Sequence, residues 1–307
     1  MAEANNLDFN DAKAKLKNEW EDLLSKIKVE GSNEEDKVKF YTAMYHSFLH
    51  PRTFNDIDGS YVSFAGGKEI KNAGDNDYYV DFSMWDTYRA SHPLFNLIAP
   101  KANADMVNSL LLKAEQGEWL PIFPCWNSYT SAMIVDHAAT TIADAYMKDI
   151  IDLSDDQYQL LLKNAFETPS TFEEYADGKG RRALESYLQY GYIPLEDEVK
   201  VSFHHNEQVS RTLEYAFDDF SVAQLANNYG DKEKADKLIS RALNYKNVFS
   251  SEDSCVKGRY ADGSFVNEFD KFGKQSYITE GTPYQYTWYV PHDIEGLMNL
   301  MAVSYTH

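Results

Sequence analysis

The run QVSRTLEYAFDDFSVAQLANNYGDKEKADKLISRALNYK, residues 208–246, sets the architecture. Helical patterning holds from 208 to 229, stops at Gly230 where a helix commonly ends, and resumes over 232–246 with Ala235, Leu238, Ile239 and Ala242 on one side. Two helices joined by so tight a turn fold back as a hairpin. The same pairing recurs outward from this run. Leu16, Trp20, Leu23, Leu24 and Ile27 share one face of a first amphipathic helix. Ser32 with Glu35 makes a capping box for a second, whose buried stripe is Phe40, Met44, Tyr45, Phe48 and Leu49 before Pro51. Helices are further predicted over 83–98, 102–116, 131–148, 154–166 and 181–190, with Gly117 at a helix end. Strand signals are few: a short hairpin around Tyr61 to Phe64 and a strand over 199–203. The fold class is therefore mainly α, about ten helices against the roughly twelve that a closed ring of six hairpins needs. That is an incomplete (α/α)6 toroid, with short strands in long loops and functional loops gathered at one rim. No internal repeat or linker stands out, and 1–307 reads as a single domain.

Composition narrows the function classes. A hydrophobic fraction of 43% with 14% aromatics fills a sizeable core, so the chain is not disordered. A formal charge of −20 without a basic stripe excludes nucleic acid as a partner; it suits a neutral or cationic ligand, or simply a solvated surface. Cys125 and Cys255 have no His or Cys neighbour at metal-ligand spacing, which argues against zinc and leaves open one long-range disulfide or two unrelated thiols. No apolar stretch is long enough to cross a bilayer, and the start MAEANNLDFNDAKAK lacks the pattern of a signal peptide.

Chemistry is concentrated in four segments. The richest is YYVDFSMWDTYR, residues 78–89, which sets Trp85 beside Asp86 and Arg89. Sugar rings pack their C–H faces on aromatic rings and need charged or amide partners for their hydroxyls, and this segment supplies both. Ser83 followed by Asp86 also fits a capping box, in which Asp86 only satisfies the backbone. The others are Glu118-Trp119-Leu120-Pro121 with Trp126 and Asn127, His204 to Glu207, and Thr279 through Trp288, where Glu280 stands amid Tyr284, Tyr286 and Trp288. A helix start would favour the ionised form of Glu280 and an aromatic surround the protonated, general-acid form; its bland reading is a surface or capping residue. His204 and His205, adjacent on a strand, point to opposite faces and do not share an ion. His137 reads as a satisfied core or wall histidine, while Asp218-Asp219 and Asp155-Asp156 read as solvated helix faces. His292 and Asp293 fit a helix start after Pro291. No phosphate loop, GxGxxG, GxSxG or EF-hand is present.

Several runs together resemble the calcium-dependent, inverting exo-α-mannosidases of glycoside hydrolase family 92. They are FYTAMYHSFLHPRTFNDIDGSY (40–61), YYVDFSMWDTYRASHPL (78–94), WLP (119–121), VDHAATTIADAYMKDI (135–150), VSRTLEYAFDDFSVAQLA (209–226) and ITEGTPYQYTWYVPHDIEGLMNLM (278–301), and they span most of 36–302 in order. The resemblance implies an α/α-toroid catalytic domain, preceded in complete members by a β-sandwich. By position, Glu280 resembles the general acid. Asp86 and Trp119 resemble residues that hold the terminal mannose, with Trp85 and Arg89 on the same wall. The resemblance also implies calcium, a hard cation that takes oxygen ligands. The family's Gly-Asn-Asp-Asp base motif, its Gly-Asn-Glu segment around the leaving-group sugar and calcium, and the sandwich have no counterpart here, so most calcium ligands are expected outside this chain. Two departures are Glu118 where glycine is usual, and Thr282-Pro283-Tyr284 where Asn-Ala-Trp is usual.

The expectation is thus a truncated α-mannosidase of a periplasmic or secreted family, acting on terminal α-mannose of N-glycans or mannans. Without a base it is nearly inactive alone. A second chain or self-association would complete the ring. The alternatives are a trehalase-like inverting toroid hydrolase, a non-catalytic mannose-binding module, and a truncated product with no function of its own.

Overall fold

The computed structural model describes residues 7–31, 33–199 and 201–301. Helices α1 (Phe9–Leu24) and α2 (Glu34–Ser47) come first. Strands β1 (Arg52–Thr53), β2 (Ser60–Val62), β3 (Ile70–Asn72) and β4 (Tyr79–Val80) occupy the first long excursion. Helices α3 (Met84–Thr87), α4 (Ser91–Ile98), α5 (Pro100–Gly117), α6 (His137–Met147), α7 (Asp155–Phe166), α8 (Phe172–Asp177) and α9 (Leu184–Tyr190) follow. The last part holds α10 (Gln208–Asn228), α11 (Lys232–Ala242), a short 3-10 turn (Asn244–Val248), β5 (Phe249–Ser250), β6 (Cys255–Val256), α12 (Pro283–Tyr286) and α13 (Ile294–Leu300).

The α10–α11 pair is the predicted hairpin, and Gly230, at φ +73° in the left-handed region, makes the turn that a side chain would strain. Helix α10 runs through two cores. Its C-terminal half, from Val222 to Ala226, packs with α5, α6, α7 and α11 around Leu110, Ile142, Leu161 and Leu238. Its N-terminal half, with Val209, Leu213 and Ala216, packs on Tyr245, Val256, Ile278, Tyr286 and Val290. The strands form three antiparallel pairs: β1 with β4, β2 with β3 and β5 with β6. The β2–β3 pair, with Ser60 opposite Asn72, is the hairpin predicted around Tyr61.

Several predicted elements change. The helix over 83–98 is two helices, because Pro93 has no N–H to give the carbonyl of Arg89; α4 begins afresh at Ser91 with Pro93 in its first turn. The helix over 131–148 starts only at His137. Among the described residues of 199–203 there is no strand: Val199 N–H bonds His205 C=O at 2.7 Å, closing the segment on itself. The carbonyls of His204 and Asn206 are taken by the Arg211 guanidinium rather than by a neighbouring strand. The predicted cap Ser32 lies outside the described residues, and Asn33 caps α2 through Glu35 N–H. Of the stripe expected on α2, only Met44 is buried. Cys125 and Cys255 are both free thiols, the first exposed and the second buried.

Candidate active site

The polar centre of the molecule lies on α10. Glu214, Asp218 and Asp219 follow at four- and one-residue steps and all are fully buried, so the expectation of a solvated Asp218-Asp219 face is wrong. Burial is tolerated because each carboxylate meets a cation brought by another element. His137, at the start of α6, donates from Nδ1 to Asp218 at 2.6 Å and from Nε2 to Glu214 at 2.8 Å. Burial by itself would lower the His137 pKa, but the two carboxylates outweigh it and raise it to about 9. The imidazole is thus charged, and its two N–H groups clamp two levels of α10. Glu214 is held below the usual carboxylate range: burial opposes this, and His137 and Arg89 prevail. Asp219 takes Arg181 Nη1 at 2.6 Å and Arg241 Nε at 2.7 Å. Arg181 also reaches Asp136 at 2.8 Å, and there burial, only partly offset by Arg181, raises the Asp136 carboxyl to about 6.

Glu214 looks toward the rim. Its Oε1 accepts Trp85 Nε1 at 3.0 Å, Arg89 Nη2 at 3.1 Å and Tyr286 Oη at 2.6 Å. The Arg89 guanidinium lies 5.2 Å from the Trp85 ring centre and 4.7 Å from that of Tyr289, and Arg89 Nε donates to Trp85 C=O at 3.0 Å. One turn earlier on α10, Ser210 Oγ accepts the Thr279 N–H at 2.9 Å. Thr279 and Tyr286 bracket Glu280, so the arm that carries Glu280 and the segment that carries Trp85 and Arg89 attach to the same stretch of one helix. Glu280 itself is exposed, with φ +49°. The backbone returns to helix through Thr282, whose Oγ1 accepts Gln285 N–H while the Gln285 side chain accepts Thr282 N–H, with Pro283 opening α12.

The other predicted residues fall as follows. Asp86 is exposed on α3, and its carboxylate accepts the Ser83 hydroxyl. Trp119 belongs to a different cluster, packed with Phe64 and Tyr129 beneath Lys163, whose Nζ is 4.4 Å from its ring centre; only 3% of it is exposed, which leaves no open ring face. Buried Lys113 bonds the Tyr79 carbonyl, earlier in the segment that carries Trp85, and lies 3.8 Å from the Tyr78 ring centre. His204 pairs with Glu207 at 3.1 Å while His205 is exposed. A cavity of about 580 Å³ opens beside the Arg89–Tyr289 contact, walled by Tyr88, Phe217, Phe220 and Trp288. Neither Glu280, Asp86 nor Trp119 lines it. Among the described residues, no group of three or more His, Cys, Asp or Glu is placed to hold a metal ion, and the α10 carboxylates are already committed to cations. No described helix is long and apolar enough to cross a membrane.

His137 is the satisfied core histidine that the sequence predicts, whereas Glu214 and Tyr286 join this polar centre without standing among the predicted site residues. Tyr286 carried a signal, as part of the aromatic run after Glu280. Glu214 carried none, since a lone glutamate on a long amphipathic helix reads as surface.

The chain as a whole is similar to known proteins. The family model described as the glycosyl hydrolase family 92 catalytic domain matches residues 1–304. A solved family GH92 alpha-mannosidase from Bacteroides thetaiotaomicron is 33% identical, with a TM-score of 0.85 over 98% of this chain and 38% of its own. A solved family GH92 inverting mannosidase from Bacteroides thetaiotaomicron VPI-5482 is 27% identical, with a TM-score of 0.85 over 97% of this chain and 39% of its own. An uncharacterized secreted glycosidase of Arthroderma benhamiae is 24% identical over 97% of this chain and 37% of its own. The chain thus spans less than two fifths of the length of these relatives. Matched almost end to end by the family model and sharing the helical fold of its solved members, the chain belongs to glycosyl hydrolase family 92, as part of that family's catalytic domain.

Proposed function

We propose that this chain forms one wall of an α-mannosidase site that removes terminal α-mannose from N-glycans or mannans with inversion. Glu280 is the general acid that protonates the leaving oxygen, and Trp85, Asp86 and Arg89 hold the mannose. The observation that carries this reading is the joint attachment of the Glu280 arm and the Trp85/Arg89 segment to α10. An exposed acid on an arm anchored to the same helix as an aromatic and cationic wall suits proton transfer to a sugar held on that wall. Trp119 is assigned here as a mannose contact on the family resemblance; it would have to emerge from under Lys163 to serve. The inverting route needs a carboxylate base facing Glu280 across the sugar. Glu214, Asp218 and Asp219 are not candidates, being buried and paired. Calcium, a hard cation that takes oxygen ligands, is part of the proposal, although the described residues hold no assembled ligand set for it.

Mannoimidazole, found in complex with one solved relative, gives a test that does not depend on turnover. Its imidazole nitrogen stands in for the glycosidic oxygen and accepts the proton of a general acid. We expect the chain to bind mannoimidazole in preference to its gluco-configured counterpart. Glu280→Gln should weaken mannoimidazole about tenfold or more while leaving free mannose nearly unchanged. Preference for the gluco form would indicate a trehalase-like enzyme. An equal response of both mannose ligands to Glu280→Gln would sink the general-acid assignment and favour a binding module.

A further inference from the structure

The geometry points to Glu214 as a positioning residue of the site, a buried carboxylate that, beside the direct Tyr88–Tyr289 hydroxyl contact, keeps the Trp85/Arg89 segment and the acid-bearing arm in register; the inference rests on the mannosidase reading above. Asp218 and Asp219 take their cations from α6, α11 and the segment before α9, which ties helices to helices. Glu214 differs in that three donors from outside the helical core converge on its Oε1: the Trp85 indole, the Arg89 guanidinium and the Tyr286 hydroxyl. A carboxylate oxygen offers about two lone-pair directions, so Oε1 is filled. Its twin, Oε2, is held by His137 at 2.8 Å, and His137 is held in turn by Asp218. The carboxylate therefore cannot rotate.

That rigidity passes to the rim. An indole has a single donor, so the Glu214 contact fixes which way the Trp85 ring faces. Arg89 is set by the same oxygen and by the Trp85 carbonyl, with its guanidinium between the Trp85 and Tyr289 rings. Tyr286 lies six residues beyond Glu280, and its hydroxyl is the contact from that arm to this carboxylate. A side chain locked in a buried helix thus orients residues on two segments that carry little regular structure of their own, as a preorganised site requires. Loss of the Glu214 charge should loosen both walls together, without Glu214 touching the sugar.

The test labels the 307-residue chain with 15N-tryptophan and follows the Trp85 indole N–H, identified by its disappearance in Trp85→Phe. Glu214→Gln keeps the length and removes the charge. We expect the Trp85 signal to shift and broaden, and mannose affinity to fall about tenfold or more at a temperature where the variant is folded. Leu238→Ala, which opens a cavity in the apolar core at α11, should lower the melting temperature and leave the Trp85 signal and the affinity in place. If Glu214→Gln behaves like Leu238→Ala, Glu214 is only structural and the inference is overturned. Should Glu214→Gln not fold, Tyr286→Phe removes one of the three donors, and an unmoved Trp85 signal in that variant overturns it equally. If the wild-type chain binds neither mannose nor mannoimidazole, the mannosidase reading falls, and the Trp85 signal in the ligand-free variants alone decides the role of Glu214.

Discussion

Helices α1 and α10 reverse what their sequences suggest. Helix α1 has the regular apolar face of a packed helix, yet it contains no buried residue; Leu16 is 56% exposed and Phe9 80%. Its contact with the rest is narrow, chiefly Trp20 against Tyr45 of α2 with ring centres 4.6 Å apart. Helix α10 carries Arg211, Glu214, Asp218 and Asp219 among its apolar residues, and all four are buried. An apolar stripe states that a face could be covered, whereas burial depends on what other segments bring to it. For α10 those segments bring cations that pair with its three carboxylates, and bring the His204 and Asn206 carbonyls to Arg211.

The largest expected effect comes from taking away one member of such a pair. Asp219→Ala leaves Arg241 without its carboxylate and Arg181 with Asp136 alone, so unfolding free energy in urea should fall by about 3–5 kcal/mol. A loss below about 1 kcal/mol would mean that water enters this region and that α10 is no more committed to its partners than a surface helix. Because desolvation of both charges opposes the pairing, such a loss would measure the cost of an orphaned charge, not the net worth of the bridge.

A second test uses pH on the same helix. The His137 pKa is raised from its ordinary 6.5 to about 9, so the folded state binds that proton more tightly than the unfolded chain. Its contribution is complete below pH 6.5 and is lost as pH rises through 9. The expected loss is on the order of 3 kcal/mol between pH 6.5 and 9.5. The shift of Glu214 has the opposite sign: its contribution is present above the ordinary glutamate value and lost as pH falls below it. His137→Gln should flatten the alkaline decline specifically. If the decline persists in that variant, another group is responsible and the clamp between α6 and α10 is not ionic.

Local rules carried much of the fold. The hairpin turn at Gly230 and the helix beginning at about Ser154 are set within a few residues, and both were visible in the sequence. Glu118 was visible as a departure from the family's glycine, and its reason is structural: it caps α5 in the left-handed region at φ +65°, where glycine is unstrained. The buried charges were not legible because their partners are remote, with Arg181 38 residues from Asp219 and His137 81 residues from Asp218. The site divides in the same way. Trp85, Arg89 and Tyr286 stood out as aromatic and charged runs, but the Glu214 that joins them looks, in one dimension, like any exposed helix glutamate. Trp119 shows the converse, since a tryptophan beside Leu-Pro signals a loop without saying which side of it the ring occupies.

The smallest expected effect tests the other half of the comparison. Substituting Leu16 by Lys on α1 places a charge where the periodicity predicts a buried stripe. Exposed as Leu16 is, stability should change by no more than about 0.5 kcal/mol, the ordinary range for a surface site. Lysine also keeps a strong helix propensity, so α1 itself should persist by circular dichroism. A loss of about 2 kcal/mol or more, the scale of a core substitution, would show that this face is covered in solution. Concentration-dependent stability in the wild type, absent from Leu16→Lys, would then identify another copy of the chain as the cover, because binding to the folded state stabilises it by mass action. The same substitution therefore separates an amphipathic helix that packs on nothing from one whose partner lies outside this molecule.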